Sequence, residues 1–235
     1  RRFALQGSSA GQATTDTIYT DVLRRLVRLP FGPKSATEGS SVEALLSRVE
    51  GLERRVGSFS KYGLVPEIRT KAMSDILREA PTHTHSAISE VLTPYIEGLI
   101  ARLDALTDAQ EVIDSLISSI NSFYARKSVS FDVNKGLEVM LEDGKMLDPS
   151  LLSSGERQVL MLLCNCVSAP RGSIFIVDEP ELSLNIKWQR VLAQSLLACT
   201  KHSAVQFILA THSFELLAGH RESVVPLEHL AGGVA

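Results

Sequence analysis

The sequence is poor in cysteine and in tryptophan and carries little net charge, and each shortage excludes something. Its three cysteines, Cys164, Cys166 and Cys199, make neither a disulfide framework nor a zinc-binding spacing. Buried free thiols in a reducing cytoplasm are the expected state. Net charge is −3, so bulk electrostatics do not mark a nucleic-acid binder, and any DNA or RNA contact must come from local patches. No apolar run approaches the ~20 residues of a membrane span, and no signal peptide is visible. Trp188, the single tryptophan, is expected to pack the helix that follows Asp178-Glu179 rather than to contact a ligand. The phosphate-binding loop Gly-x-x-x-x-Gly-Lys-Ser/Thr occurs nowhere. The nearest string, Phe31-Gly32-Pro33-Lys34-Ser35, lacks the glycine cradle, and its proline removes a backbone donor, so it reads as a plain loop. No internal repeat stands out. Among what is present, the 44% hydrophobic content of 235 residues suffices for a core and one or two domains.

Three stretches carry chemistry. Ile174 to Val177 is a short, β-branched-rich apolar run, which reads as a strand buried on both faces of a parallel sheet. Asp178 and Glu179 stand at its carboxyl end, where open α/β sheets place ligand chemistry. Two adjacent carboxylates there repel unless a cation joins them. Mg²⁺ with nucleotide phosphates is the natural occupant, with Asp178 holding the metal and Glu179 orienting and deprotonating the attacking water.

Upstream, Ser153-Ser154-Gly155 precedes the apolar stretch Glu156 to Leu163. Free backbone N–H groups, hydroxyls and a glycine at a helix start form an anion site that suits a γ-phosphate. Downstream, Val205 to Ala210 reads as a second buried strand, followed by Thr211-His212-Ser213. A histidine there can hydrogen-bond the γ-phosphate or the attacking water, and so sense whether the phosphate is present.

The set Leu152-Ser153-Ser154-Gly155-Glu156-Arg157-Gln158, Asp178-Glu179-Pro180-Glu181-Leu182-Ser183-Leu184-Asn185 and Ala210-Thr211-His212-Ser213 resembles the ABC-ATPase superfamily. Within it, the set looks most like the AAA-type ATPases of bacterial defence and DNA maintenance, the overcoming-lysogenisation-defect and PtuA-like ATPases of Septu and retron systems. The resemblance covers about residues 128–219. It implies an α/β ABC-ATPase head, a mostly parallel sheet flanked by helices with a helical insertion, that binds ATP and Mg²⁺. It places Ser154 and Gly155 in the signature turn, Asp178 at the metal, Glu179 as the catalytic base and His212 as the switch. Glu156 and Gln158 of the same turn, and Asn185, join Ser153 as expected nucleotide-contacting residues. Asn185 falls where the family usually has His and transporters usually have Asp, which leaves the subunit-coupling role of this position open. In this superfamily two heads sandwich two nucleotides, so Ser154 and Gly155 are expected to act in trans, through a homodimer or higher homo-oligomer. The phosphate loop is expected upstream of Arg1 or from another chain.

Along the chain, the expected domains are 1–32, a remnant of the first ATPase lobe; 33–127, a helical insertion; and 128–235, the lobe carrying the three motifs. Arg1–Leu5 reads as a strand end and 8–15 as a loop. Helices are expected over 16–29, 41–56, 67–78, 86–106 and 109–125, with breaks at 30–41 and 57–66. Arg24, Arg25 and Arg28 read as a solvated face, and 41–56 as a mixed-charge amphipathic arm. His83 and His85 read as surface residues. Residues 128–133 and 137–141 form an expected hairpin, with 145–147 pairing back. Helices follow at 185–199 and 214–218, then an edge strand at Val224–Leu227 and a frayed end at Gly232–Ala235.

The expected function is a soluble cytoplasmic ATPase that dimerises head to head and controls an effector, a nuclease (HNH-type) in anti-phage defence, with a reverse transcriptase and its nucleic acid as a further partner. No nuclease motif stands in these residues themselves. The alternatives are a DNA-repair or chromosome-maintenance ATPase, the ATP-binding subunit of a membrane transporter, and a binding scaffold that turns over slowly.

Overall fold

The computed structural model of the protein describes residues 19–25, 27, 39–66, 68 and 70–226. The strand end expected at Arg1–Leu5, the loop at 8–15, Arg28, the Phe31–Ser35 string, Leu227 and the Gly232–Ala235 end lie outside them, as does most of the expected 1–32 lobe. The described chain is α/β, mostly helical with two small sheets. It divides into two compact units: Arg1–Gln110 with Asp132–Gly136, and Glu111–Phe131 with Leu137–Ala235.

The first unit holds helical residues 19–25, α1 (Gly39–Ser60), α2 (Thr70–Glu79) and the first part of α3 (His85–Phe123). Leu45, Val49, Leu52, Val56 and Phe59 recur at three- and four-residue spacing along α1, and all are buried. On α3 the buried stripe is Ile88, Leu92, Ile96, Leu99 and Leu103. The charges of the amphipathic arm pair within the unit: Arg48 with Glu97 (3.6 Å), Arg55 with Asp104 (2.6 Å) and Glu50 with Arg78 (2.7 Å). Such exposed pairs contribute about 0–1 kcal/mol each, so the apolar stripe holds the helices and the charges align them.

Two expectations change here. The helices expected at 86–106 and 109–125 are one continuous helix, α3. Thr107-Asp108 has neither glycine nor proline to stop it, and the Thr107 hydroxyl donates back to the Leu103 carbonyl at 3.0 Å. Gly57 likewise does not end α1, which runs to Ser60.

In the second unit, β1 (Lys127–Asp132), β2 (Gly136–Leu141) and β3 (Met146–Leu147) form one sheet in that order, with β2 and β3 antiparallel. The hairpin tip, Asp132–Gly136, counts with the first unit. There the Val133 N–H donates to the Tyr62 carbonyl at 3.0 Å. Gly63, with φ +66°, leaves room for Asp132, whose Oδ2 would lie 2.6 Å from a Cβ at that position.

After the sheet come α4 (Ser154–Ser168), β4 (Ile174–Asp178), α5 (Ile186–Cys199), β5 (Gln206–Ala210) and α6 (Phe214–Leu217). β4 and β5 pair in parallel, from Ile174 opposite Gln206 to Asp178 opposite Ala210. Helix α5 packs against α4 and α6. Trp188 of α5 meets Phe123 edge to face at 5.7 Å, the packing role expected of it. Cys166 and Cys199 are buried and Cys164 half-buried, all as free thiols, and burial pushes the Cys166 thiol up to about 12.

The strands correct the sequence-based expectation. Both are expected to be buried on two faces, yet Ile174, Ile176 and Ile208 are 58%, 71% and 47% exposed. They share one face of the pair, by the alternation of side chains along a strand. Phe175, Val177, Phe207 and Leu209 occupy the other face and are half-buried. Among the described residues no further strand extends the pair, so the expected mostly parallel sheet is here two strands with one open face. The expected edge strand is also absent: Arg221–Ser223 is a 3₁₀ turn, and residues 224–226 form no strand.

Candidate functional site

Asp178 ends β4 with its side chain exposed. The Glu179 N–H donates to the Ala210 carbonyl at 2.8 Å, which carries the ladder one step past the strands. Glu179 then turns sharply, with φ 45°, and Ser183 follows with φ 62°. For residues bearing a Cβ this left-handed conformation costs about 1–2 kcal/mol, and strain of this kind gathers at functional sites. The turn closes through Leu182 N–H to Glu179 O (3.1 Å) and Leu184 N–H to Glu181 O (3.0 Å).

The serine turn is a helix N-terminus, as its residue types require. The Ser153 hydroxyl accepts from the Glu156 N–H at 3.3 Å, and the Glu156 carboxylate accepts from the Ser153 N–H at 2.8 Å, a reciprocal capping box. Ser153 and Ser154 are exposed, whereas Gly155 and Glu156 are buried. Glu156 is engaged within the chain. Both its oxygens accept from Lys127 Nζ, at 3.0 and 2.8 Å, so its charge serves to hold the turn. Burial pushes the Glu156 carboxyl up, but Lys127 and the Ser153 bonds outweigh it and hold the group below the ordinary glutamate range. The Tyr124 hydroxyl donates to the Glu156 carbonyl at 2.9 Å. Burial, then the Glu156 charge, raises the Tyr124 pKa and keeps it a donor.

Gly155 and Gln158 also face inward. A Cβ on Gly155 would lie 2.6 Å from the Ser183 carbonyl oxygen and 3.4 Å from the Trp188 ring. The close approach that this glycine permits is therefore that of the chain's own backbone. Gln158 Nε2 donates to the Pro180 carbonyl at 3.0 Å. The start of α4 is thus seated on the turn that follows Asp178.

The third stretch leaves β5 at the same end. His212 is exposed, and its backbone N–H donates to Glu181 Oε1 at 2.8 Å. The Ser213 hydroxyl donates to Gln189 Oε1 at 2.7 Å, and Gln189 Nε2 donates to the Leu184 carbonyl at 2.9 Å. Asn185 caps α5, its Oδ1 accepting from the Trp188 N–H at 3.0 Å. The three sequence stretches converge on one turn, residues 179–185, with Asp178, Ser154 and His212 left exposed around it.

Among the described residues no group of three or more His, Cys, Asp or Glu side chains could cage a metal ion, and His83 and His85 form none. Mg²⁺ asks for less: one or two carboxylates, the rest being water and phosphate oxygens. The exposed Asp178 carboxylate at the strand end meets that demand. Sequence reasoning gives no role to Glu181, Gln189 or Lys127. Glu181 stands inside the Asp-Glu-Pro-Glu stretch, but nothing in that spacing tells which acid turns back onto a neighbouring loop.

Comparison with protein families finds one whose description reads "AAA domain, putative AbiEii toxin, Type IV TA system", and it matches residues 52–218. The chain belongs to this AAA-domain family. The match spans α3, the hairpin and all three motifs. No curated protein matches this chain. Among solved structures, it is similar to the Smc head domain with an extended coiled coil bound to the C-terminal domain of ScpA, from Pyrococcus furiosus. The identity is 15% and the TM-score 0.35, over 89% of this chain and 49% of that one. This chain thus spans about half the length of that one.

Proposed function

We propose that this AAA-type domain hydrolyses ATP at the Asp178–Glu179 end of the parallel pair, and that two such heads close on nucleotide to control an effector. The observation that carries the reading is the convergence of three separate motifs on the 179–185 turn. Asp178 would hold Mg²⁺, which when bound neutralises charge on the phosphates. Glu179, fixed by its strained backbone at the strand end, orients the attacking water and accepts its proton. His212 hydrogen-bonds the γ-phosphate or that water. Ser153 and Ser154, with the free N–H groups of α4, receive a γ-phosphate held by the partner head. Gly155, Glu156 and Gln158 position that turn through their contacts within the chain.

The sequence contains no phosphate loop of its own, so the reaction needs the segment or subunit that supplies one. The open isoleucine face of the β4–β5 pair supports this, because parallel strands are normally covered on both faces by the rest of their sheet and its helices. Control of a nuclease in anti-phage defence, as in Septu or retron systems, is the finer part of the reading. The Asp-Glu-Pro-Glu-Leu-Ser-Leu stretch, with its likeness to the ATPases of those systems, supports it. A nuclease or reverse transcriptase co-purifying with the protein is the expected result, and a membrane transport partner would redirect the assignment. For the chemistry, Glu179→Gln in the protein together with its phosphate loop is expected to lower ATP turnover at least ~100-fold while ATP still binds. Unchanged turnover would remove Glu179 from its role.

A further inference from the structure

We infer that Glu181 is the positioning residue for His212: by accepting the His212 backbone N–H, its carboxylate sets where the switch histidine stands relative to the Asp178–Glu179 end. The inference rests on the ATPase reading above and adds a residue that no motif assigns. Three observations carry it. The contact is direct, with the His212 N–H donating to Glu181 Oε1 at 2.8 Å across a separation of 31 residues. It joins the turn after β4 to the turn after β5, which no ladder bond beyond Glu179–Ala210 otherwise ties at that point. And the carboxylate holds the loop at a desolvation cost, since Glu181 Oε2 is enclosed with no hydrogen-bond partner.

A neutral acceptor would hold one amide with a smaller desolvation cost. A carboxylate gives the stronger, charge-assisted bond, and so a narrower position for the loop. Burial pushes the Glu181 carboxyl up, yet the neighbouring Thr211 hydroxyl and the backbone N–H groups of the loop draw it below the ordinary range, so the group is charged when it holds the loop. The second tie, from Ser213 through Gln189 to Leu184, fixes the far side of the loop. Between them the histidine has little freedom to drift. Its backbone position is then set by the same turn that carries Glu179.

The test compares wild type with Glu181→Gln, Glu181→Asp and Glu181→Ala in the protein together with its phosphate loop. Glutamine keeps the reach and an acceptor; aspartate keeps the charge but is one methylene short. Two quantities are read: hydrogen exchange of the His212 amide, and kcat and KM for ATP separately. In the aspartate and alanine variants the His212 amide should exchange at least ~10-fold faster. In those variants kcat should fall ~10- to 100-fold with KM changed less than ~3-fold, because misplacement of a catalytic group acts on the reaction step. Glutamine should restore both to within ~3-fold of wild type. Unchanged His212 exchange in the aspartate variant overturns the inference. So does an equal kcat loss in the glutamine and aspartate variants. Should the alanine variant not fold, the glutamine–aspartate comparison decides alone. Should Glu179→Gln turn over ATP like wild type, the ATPase reading fails, and the exchange measurement still decides whether Glu181 holds His212.

Discussion

At Gly155 the second unit leaves no room for a methyl group. A Cβ there would lie 2.6 Å from a backbone oxygen, that of Ser183, which cannot swing aside as a side-chain tip could. Gly155→Ala should therefore destabilise the protein by about 1–3 kcal/mol, the usual scale of overpacking, read as a lower urea midpoint with unchanged slope. Ser154→Ala, one residue earlier but exposed, should change stability by less than ~0.5 kcal/mol. The contrast separates the two halves of the motif: the serines face outward and the glycine faces the chain. Only half of this is legible in the sequence. Ser153 as a helix cap is local chemistry, and the sequence shows it. The need for glycine comes from Ser183, in a turn that reaches Gly155 only after the chain has passed through α4 and β4. The inward roles of Glu156 and Gln158 are hidden for the same reason, since Lys127 and Pro180 are their partners.

Helix α4 is seated through a charge, and that gives it a pH signature. The Glu156 carboxyl is held below its ordinary range, chiefly against burial, by Lys127 and Ser153. A carboxyl depressed in the folded state adds stability that is present above its unfolded value, about 4.3. That stability is lost as pH falls through the folded value. The unfolding free energy should therefore drop as pH falls below about 4.3, and Glu156→Gln should flatten part of that drop. Denaturation curves at several pH values read this directly, and identical slopes in both proteins would contradict it. Helices are the most legible elements, because stripes such as Leu45–Val49–Leu52–Val56 on α1 are set by local periodicity. The join across Thr107 in α3 is not legible, because polar residues alone do not stop a helix. The exposure of β4 and β5 is hidden for a different reason: an apolar run tells what a strand avoids, not what the described residues put against it.

For the molecule as a whole, the order of the motifs says more than their surroundings do. Residues 52–218 belong to one AAA-domain family, and the three motifs within them close on one turn. The helical first unit follows from periodicity, whereas the site's internal ties, Glu181 to His212 and Gln189 to Ser213, emerge only in three dimensions. No helix among the described residues is long and apolar enough to cross a membrane. The central claim is that the exposed Asp178, Ser154 and His212 meet a nucleotide shared between two heads. Its most direct test is the mass of the assembly, by light scattering or sedimentation, of Glu179→Gln with its phosphate loop, with and without Mg²⁺ and ATP. The expected result is a monomer-to-dimer shift that requires ATP and disappears when Ser154→Arg is added, although ATP still binds. A mass that ignores ATP, or a dimer that forms equally well with Ser154→Arg, would contradict the account.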